Sequence, residues 1–130
     1  MSDELKQEVL TANAKLLTSI AAGDWATYAE LCDPSITCFE PESRGHLIEG
    51  MPFHRFYFDL GGVKGPHNTT MSSPHVRLLG SDVAVVSYVR LVQKLATDGS
   101  PMVAGAEETR IWQRQTGRWR HVHFHRTPIA

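Results

Sequence analysis

The chain carries only two cysteines, Cys32 and Cys38, in 130 residues. Two thiols make no disulfide framework. A chain of this length buries enough apolar surface to fold without staples or a structural metal. Both are expected to be reduced, half-buried thiols of a cytosolic protein. A redox or nucleophilic role is the alternative, and it would require neighbours that favour the thiolate. No charge of one sign dominates either: 13 Lys and Arg stand against 14 Asp and Glu, a net charge of -1. A basic nucleic-acid footprint is therefore missing. No apolar run reaches the length of a membrane span. The start, Met1-Ser2-Asp3-Glu4-Leu5-Lys6, lacks the basic-then-apolar order of a signal peptide. The expectation is a soluble, cytoplasmic protein with no nucleic-acid or membrane partner. A Gly-rich phosphate loop and a Gly-x-Ser-x-Gly elbow are missing too. With no repeat, linker or biased tract, residues 1–130 read as a single domain with no cofactor.

Helical signals come first. Leu5, Val9, Leu16 and Ile20 recur at helical spacing beside Leu10, Asn13 and Leu17. Gly23 closes this helix, and Asp24 caps a second, short one bearing Trp25, Tyr28, Leu31 and Cys32 on one face. Pro34 stops it, and Ile36 to Phe39 reads as a strand ended by Glu40-Pro41-Glu42. Leu47 to Glu49 reads as a second short strand. A third helix is predicted from Pro52 to Leu60, with Phe53, Phe56, Tyr57 and Leu60 on its apolar face. Four strands follow: His67–Leu79, Val83–Lys94, Met102–Gln115 and Trp119–Arg126, separated by turn signals such as Asp98-Gly99. Pro74 marks the first of these as an edge strand or a bulge. Helices followed by an antiparallel meander predict an α+β domain, its curved sheet wrapped around the helices as a cone with an interior pocket.

The strand Val83–Lys94 is apolar on both faces: Val83, Val85, Val89 and Leu91 on one, Ala84, Val86, Tyr88 and Val92 on the other. Helices cover one side of the sheet, and nothing left in the chain covers the second. Either those valines are scattered surface residues, or the outer face packs on another subunit. Alternation also places Arg90 with Tyr88, Arg110 with Glu108 and Trp112, and Arg126 with Val122 and Phe124. A buried guanidinium needs an anion. Glu108 answers for one arginine. The others are either paired structurally or line a pocket that forks onto a small carboxylate ligand. His121, His123 and His125 alternate and so share one strand face. At a strand rise, the outer pair lie about 13 Å apart, so at most two neighbours could share a metal ion; packing and interface hydrogen bonds are the preferred role.

Several stretches resemble the association domain of calcium/calmodulin-dependent protein kinase II. They include Phe53-His54-Arg55-Phe56-Tyr57-Phe58, Glu107-Glu108-Thr109-Arg110-Ile111-Trp112 and the run from Trp119 to Arg126. Gly23-Asp24-Trp25, Phe39-Glu40-Pro41-Glu42, Glu49-Gly50-Met51 and Pro74-His75-Val76 match as well. The similarity covers about Leu5 to Arg126. The Gly-Asp-Trp start is shared more widely with the nuclear transport factor 2-like and SnoaL-like superfamily. The resemblance implies the cone fold and a hub that self-assembles into two stacked rings, a dodecamer or tetradecamer. It implies no catalysis, and a pocket for small carboxylates at Arg90, Arg110, Arg126 and His54, with Tyr28 and Glu108 nearby. Val83, Val85, Val89 and Leu91 are the expected oligomer interface. The loop Gly61-Gly62-Val63-Lys64-Gly65-Pro66 departs from animal kinases: it is shorter, richer in glycine and lacks an aromatic residue at the pocket mouth.

The kinase and calmodulin-binding segments of that family do not occur in these residues. The chain reads as the end of a longer kinase or as a free-standing relative, and the Met1-Ser2-Asp3 start favours the second. The competing function is a free-standing enzyme acting on a small organic acid or polar substrate, with Asp59, His54 or Glu108 as its base. An arginine-dominated pocket argues against it, because positive charge depresses carboxylate basicity.

Overall fold

The computed structural model describes residues 2–129; the reading of the start at Met1 lies outside them. Helix α1 (Ser2–Ala22) buries the expected stripe, with Val9, Leu16 and Leu17 inaccessible to solvent. Asn13 is buried in the same stripe, because its Oδ1 accepts a 3.0 Å hydrogen bond from the indole of Trp112. The helix ends as Gly23 predicts. The Asp24 amide donates to the Ser19 carbonyl and the Gly23 amide to that of Ile20, with Gly23 at φ +70°. Asp24 then caps α2 (Trp25–Leu31) by accepting from the Thr27 amide.

Chain reversal is immediate after α2. Strand β1 (Cys32–Phe39) begins four residues earlier than the sequence suggests and includes Pro34. Both cysteines therefore lie on one strand, fully buried and free, rather than half-buried in separate elements. A one-turn 3-10 helix, Pro41–Ser43, leads to β2 (Ile48–Glu49) and then α3 (Pro52–Asp59). Four long strands complete the chain: β3 (Asn68–Leu78), β4 (Val83–Leu95), β5 (Pro101–Gln115) and β6 (Arg118–Ile129).

The last four strands form the expected antiparallel meander, within a six-stranded sheet of order β2-β1-β6-β5-β4-β3. The addition to the meander is β1, which pairs parallel with β6, bringing Cys38 opposite Phe124 and Phe39 opposite His125. β3 is an edge strand, and its pairing with β4 shifts between Ser72 and His75, where Pro74 removes a ladder donor. Alternation holds along β4: Ala84, Val86 and Tyr88 are buried against the helices, and Val83, Val85, Val89 and Leu91 are half-buried on the opposite face. The fold is thus α+β, with helices laid inside a curved sheet.

Alternation fails on β6. Ile111 pairs with His123 but Trp112 pairs with His121, so Val122 is an extra residue, a β-bulge. The three histidines do not share a face: His121 is fully buried, whereas His123 is half-buried and His125 exposed. Arg126 keeps the inward side with Phe124, without Val122. The apolar face expected on α3 is also turned outward. His54 is its buried residue, while Phe56 and Leu60 are 60% and 63% exposed.

Candidate functional site: a pocket of arginines and glutamates

A cavity of about 260 Å³ opens where α3, the end of α1 and the inner sheet face meet. Tyr28, His54, Arg90, Arg110, Phe124 and Arg126 line it, together with Glu40, Glu42, Ile20, Tyr57, Phe58 and the backbone of Gly23 and Gly61. Five elements thus deliver the five lining residues named from sequence: Tyr28 from α2, His54 from α3, Arg90 and Arg110 from β4 and β5, and Arg126 from β6. Glu108, the sixth, lies beneath the floor.

Glu108 is the fixed counter-ion of that floor. Its Oε1 accepts from the Tyr88 hydroxyl at 2.6 Å and from Arg110 Nη2 at 3.0 Å, while Oε2 faces Arg90 Nη1 at 3.5 Å. Burial would raise its carboxyl, but Arg110 and then Arg90 outweigh that and hold it below the usual value. Arg110 is completely enclosed. Its guanidinium lies over the Phe124 ring at 4.4 Å and donates toward His121 Nε2 at 3.4 Å. A guanidinium only donates, so Nε2 accepts and the imidazole proton sits on Nδ1, facing Cys32 Sγ at 3.5 Å. Burial and then Arg110 push His121 well below the ordinary histidine value. Arg90 is less well served: among the described residues Glu108 is its one ionic partner, and its Nε is buried without a hydrogen bond.

Sequence reading left Arg126 without a carboxylate, and the structure supplies two. Its Nη2 meets both oxygens of Glu42, at 2.5 and 2.6 Å, and Glu40 Oε1 at 3.3 Å. Three arginines therefore face three carboxylates, which removes the argument that unpaired charge alone demands an external anion. The signal for Glu40 was present, since it continues past the end of β1 the alternation that turns Ile36 and Cys38 inward. Glu42 follows from no periodicity, because a 3-10 turn carries it to the rim.

His54 joins the pocket through contacts with Tyr28 (hydroxyl to Nδ1, 3.5 Å) and Phe124 (ring centroids 5.7 Å apart). Burial, then Arg110, lowers it to about 4, so it is neutral near pH 7. Of the three candidate bases, Asp59 is outside: it is exposed on α3 and pairs with Arg55 at 3.0 Å. Cys38, Glu40 and His54 bring donor atoms within 4.8 Å of one another. Burial pushes the Cys38 thiol far above its usual value, and Glu40 spends one oxygen on Arg126, so this cluster favours hydrogen bonding over a cation.

The pocket mouth depends on one close approach. The Val63 amide donates to the Ala21 carbonyl at 2.8 Å, which clamps the loop after α3 onto the end of α1. A Cβ on Gly62 would lie 2.4 Å from the Ala21 carbonyl oxygen. Glycine at position 62 of this loop thus has a steric cause.

A curved sheet closed by three helices, with a polar pocket at its mouth, is a fold shared with proteins of the nuclear transport factor 2-like superfamily. A member of that superfamily from Salmonella enterica superposes with a TM-score of 0.80 at 20% identity, over 100% of this chain and 94% of the other. Residues 5–130 match the family model of the calcium/calmodulin-dependent protein kinase II association domain, and the chain belongs to that family. The hub homology domain of that kinase from Chlamydomonas reinhardtii is 51% identical, with a TM-score of 0.89, covering 96% of this chain and 98% of the other. The association domain of the Caenorhabditis elegans kinase is 46% identical, with a TM-score of 0.91 and 96% of each chain covered. The rabbit kinase delta subunit is 45% identical over 124 residues, 94% of this chain; the chain spans 23% of that relative's length.

Proposed function

We propose that the chain is a self-assembling hub, forming a ring-shaped homo-oligomer whose pocket takes a small carboxylate. Family membership supports association, and the surface of the single chain carries the argument. Val83, Val85, Val89 and Leu91 make a half-buried apolar row on the face of β4 opposite the one that Ala84, Val86 and Tyr88 bury. Elsewhere on the surface, Phe56 on α3 and Leu60 at its C-terminal cap stand exposed. Two separate apolar surfaces fit a subunit that contacts neighbours on two sides, as closed rings require. Molar mass by light scattering on a sizing column tests this. The wild type should run as a large closed oligomer, and Val85→Asp should give smaller, folded species. A wild type that is monomeric at micromolar subunit concentration would end the hub reading.

Support for a carboxylate ligand comes from Arg90, which among the described residues has a single long ionic contact and a donor with no partner. An enzymatic reading finds less support. Asp59 is outside the pocket, Glu108 is locked between guanidinium groups, and His54 would have to act as a weak base in a positive field.

A further inference from the structure

We propose that Glu42 is a tethered carboxylate occupying Arg126 in place of a ligand, so that Glu42 sets the pocket's affinity for small organic acids. This rests on the carboxylate-pocket reading above and goes beyond it by naming the residue an incoming acid must displace.

The two kinds of carboxylate around the pocket differ in what holds them. Glu108 is rooted mid-strand, has no exposed side-chain surface, and is fixed by Tyr88, Arg110 and Arg90. Removing it would strand two guanidinium groups in the interior. Glu42 sits on a single 3-10 turn, its side chain is 29% exposed, and its partner Arg126 is 24% exposed. Swinging outward would return its carboxylate to water, and an ion pair so placed is weak. Glu40 is less free: it is more buried than Glu42, and its second oxygen faces Cys38 Sγ at 3.3 Å.

The geometry of Arg126 is that of an incompletely used acid receptor. Among the described residues its hydrogen bonds all run through Nη2, shared by both Glu42 oxygens and by Glu40. A guanidinium has five N–H donors in a fixed fork, so the paired, parallel contact with a carboxylate is not the one Glu42 makes. An acid free of the backbone can adopt it. Glu42 and a ligand then compete for one cation, and the ligand's apparent affinity falls by the fraction of chains in which Glu42 is in place.

Removing the charge while keeping the shape should therefore strengthen binding. Acetate, butyrate and glutarate are titrated by calorimetry into wild type and Glu42→Gln at fixed ionic strength, with butyramide as an uncharged probe. The expected result is an affinity gain of about fivefold for the acids in Glu42→Gln and none for butyramide. The gain should vanish in the Glu42→Gln/Arg126→Gln double variant. Melting of the ligand-free variant should be unchanged or lower, opposite in sign to the gain in binding. If Glu42→Gln folds poorly, Glu42→Asp retains the charge but falls short of Arg126 and should give a partial gain. Acids that bind wild type and variant equally overturn the displacement role and leave the pocket reading standing. An equal gain for butyramide also overturns it, by showing that space and not charge was released. Acids that bind neither protein overturn both readings.

Discussion

Two buried, neutral histidines make the stability of this fold depend on mild acid. His54 is lowered to about 4 by burial and by Arg110. His121 is lowered well below its ordinary value, by burial, then Arg110, then His54. In the unfolded chain each titrates near pH 6.5. The unfolded state thus binds more protons than the native state between about pH 6.5 and 4, and stability rises with pH wherever that holds. The contribution is fully present above the unfolded value and is lost as the pH falls toward the folded one. At about pH 5.5 an unfolded histidine is some nine-tenths protonated and native His54 nearly unprotonated. His54 alone therefore contributes a slope of about 1.2 kcal/mol per pH unit at 1.36 kcal/mol per proton, and His121 and His123, both lowered, add to it in the same sense.

The assay is urea unfolding followed by tryptophan fluorescence, at intervals from about pH 7 to 5.5. Carboxylates titrate little in this interval. Glu40 acts in the opposite sense, because burial and Glu42 raise its carboxyl and the native state takes up that proton first. Repeating the series at tenfold higher protein concentration separates the contribution of assembly. His54→Gln should lower the slope by about 1.2 kcal/mol per pH unit. A wild-type stability that is flat across the interval, or a His54→Gln slope equal to that of the wild type, would refute the reasoning.

Other perturbations probe the floor and the mouth of the pocket. Arg90→Ala should weaken binding of a small organic acid by at least about 1.5 kcal/mol, read as a smaller ligand-induced rise in melting temperature; Arg90→Lys should restore it only in part, since an ammonium lacks the fork. Glu108→Gln should cost about 3 kcal/mol of stability, because it leaves Arg90 and Arg110 buried without their shared anion; a loss below about 1 kcal/mol in urea unfolding would mean that the pair is solvated. Gly62→Ala should destabilise by about 1–3 kcal/mol, through the clash of its Cβ with the Ala21 carbonyl, and an unchanged midpoint would show that the loop shifts freely.

The cone was legible because its strongest signals are local. Helical spacing found α1, Gly23 and Asp24 marked its end and the start of α2, and period-two alternation assigned the inner faces of β4 and β5 correctly. Alternation carries only as far as the strand is regular. On β6 the extra residue at Val122 turns His121 into the core while leaving Phe124 and Arg126 inward. Neither glycine nor proline marks that bulge, so nothing in the neighbouring residues announces it. On α3 the apolar periodicity was real, but the pocket selected His54 for burial over Phe56 and Leu60. The charge balance of the pocket failed to show for a different reason. Glu40 and Glu42 reach Arg126 only because β1 adds in parallel beside β6, setting Phe39 against His125. That pairing joins segments more than eighty residues apart and leaves no periodic trace in either. Three arginines could be placed in one cavity from their own strands. Whether they arrive there bare or already neutralised is decided by the rim, and the rim is assembled by tertiary contacts alone.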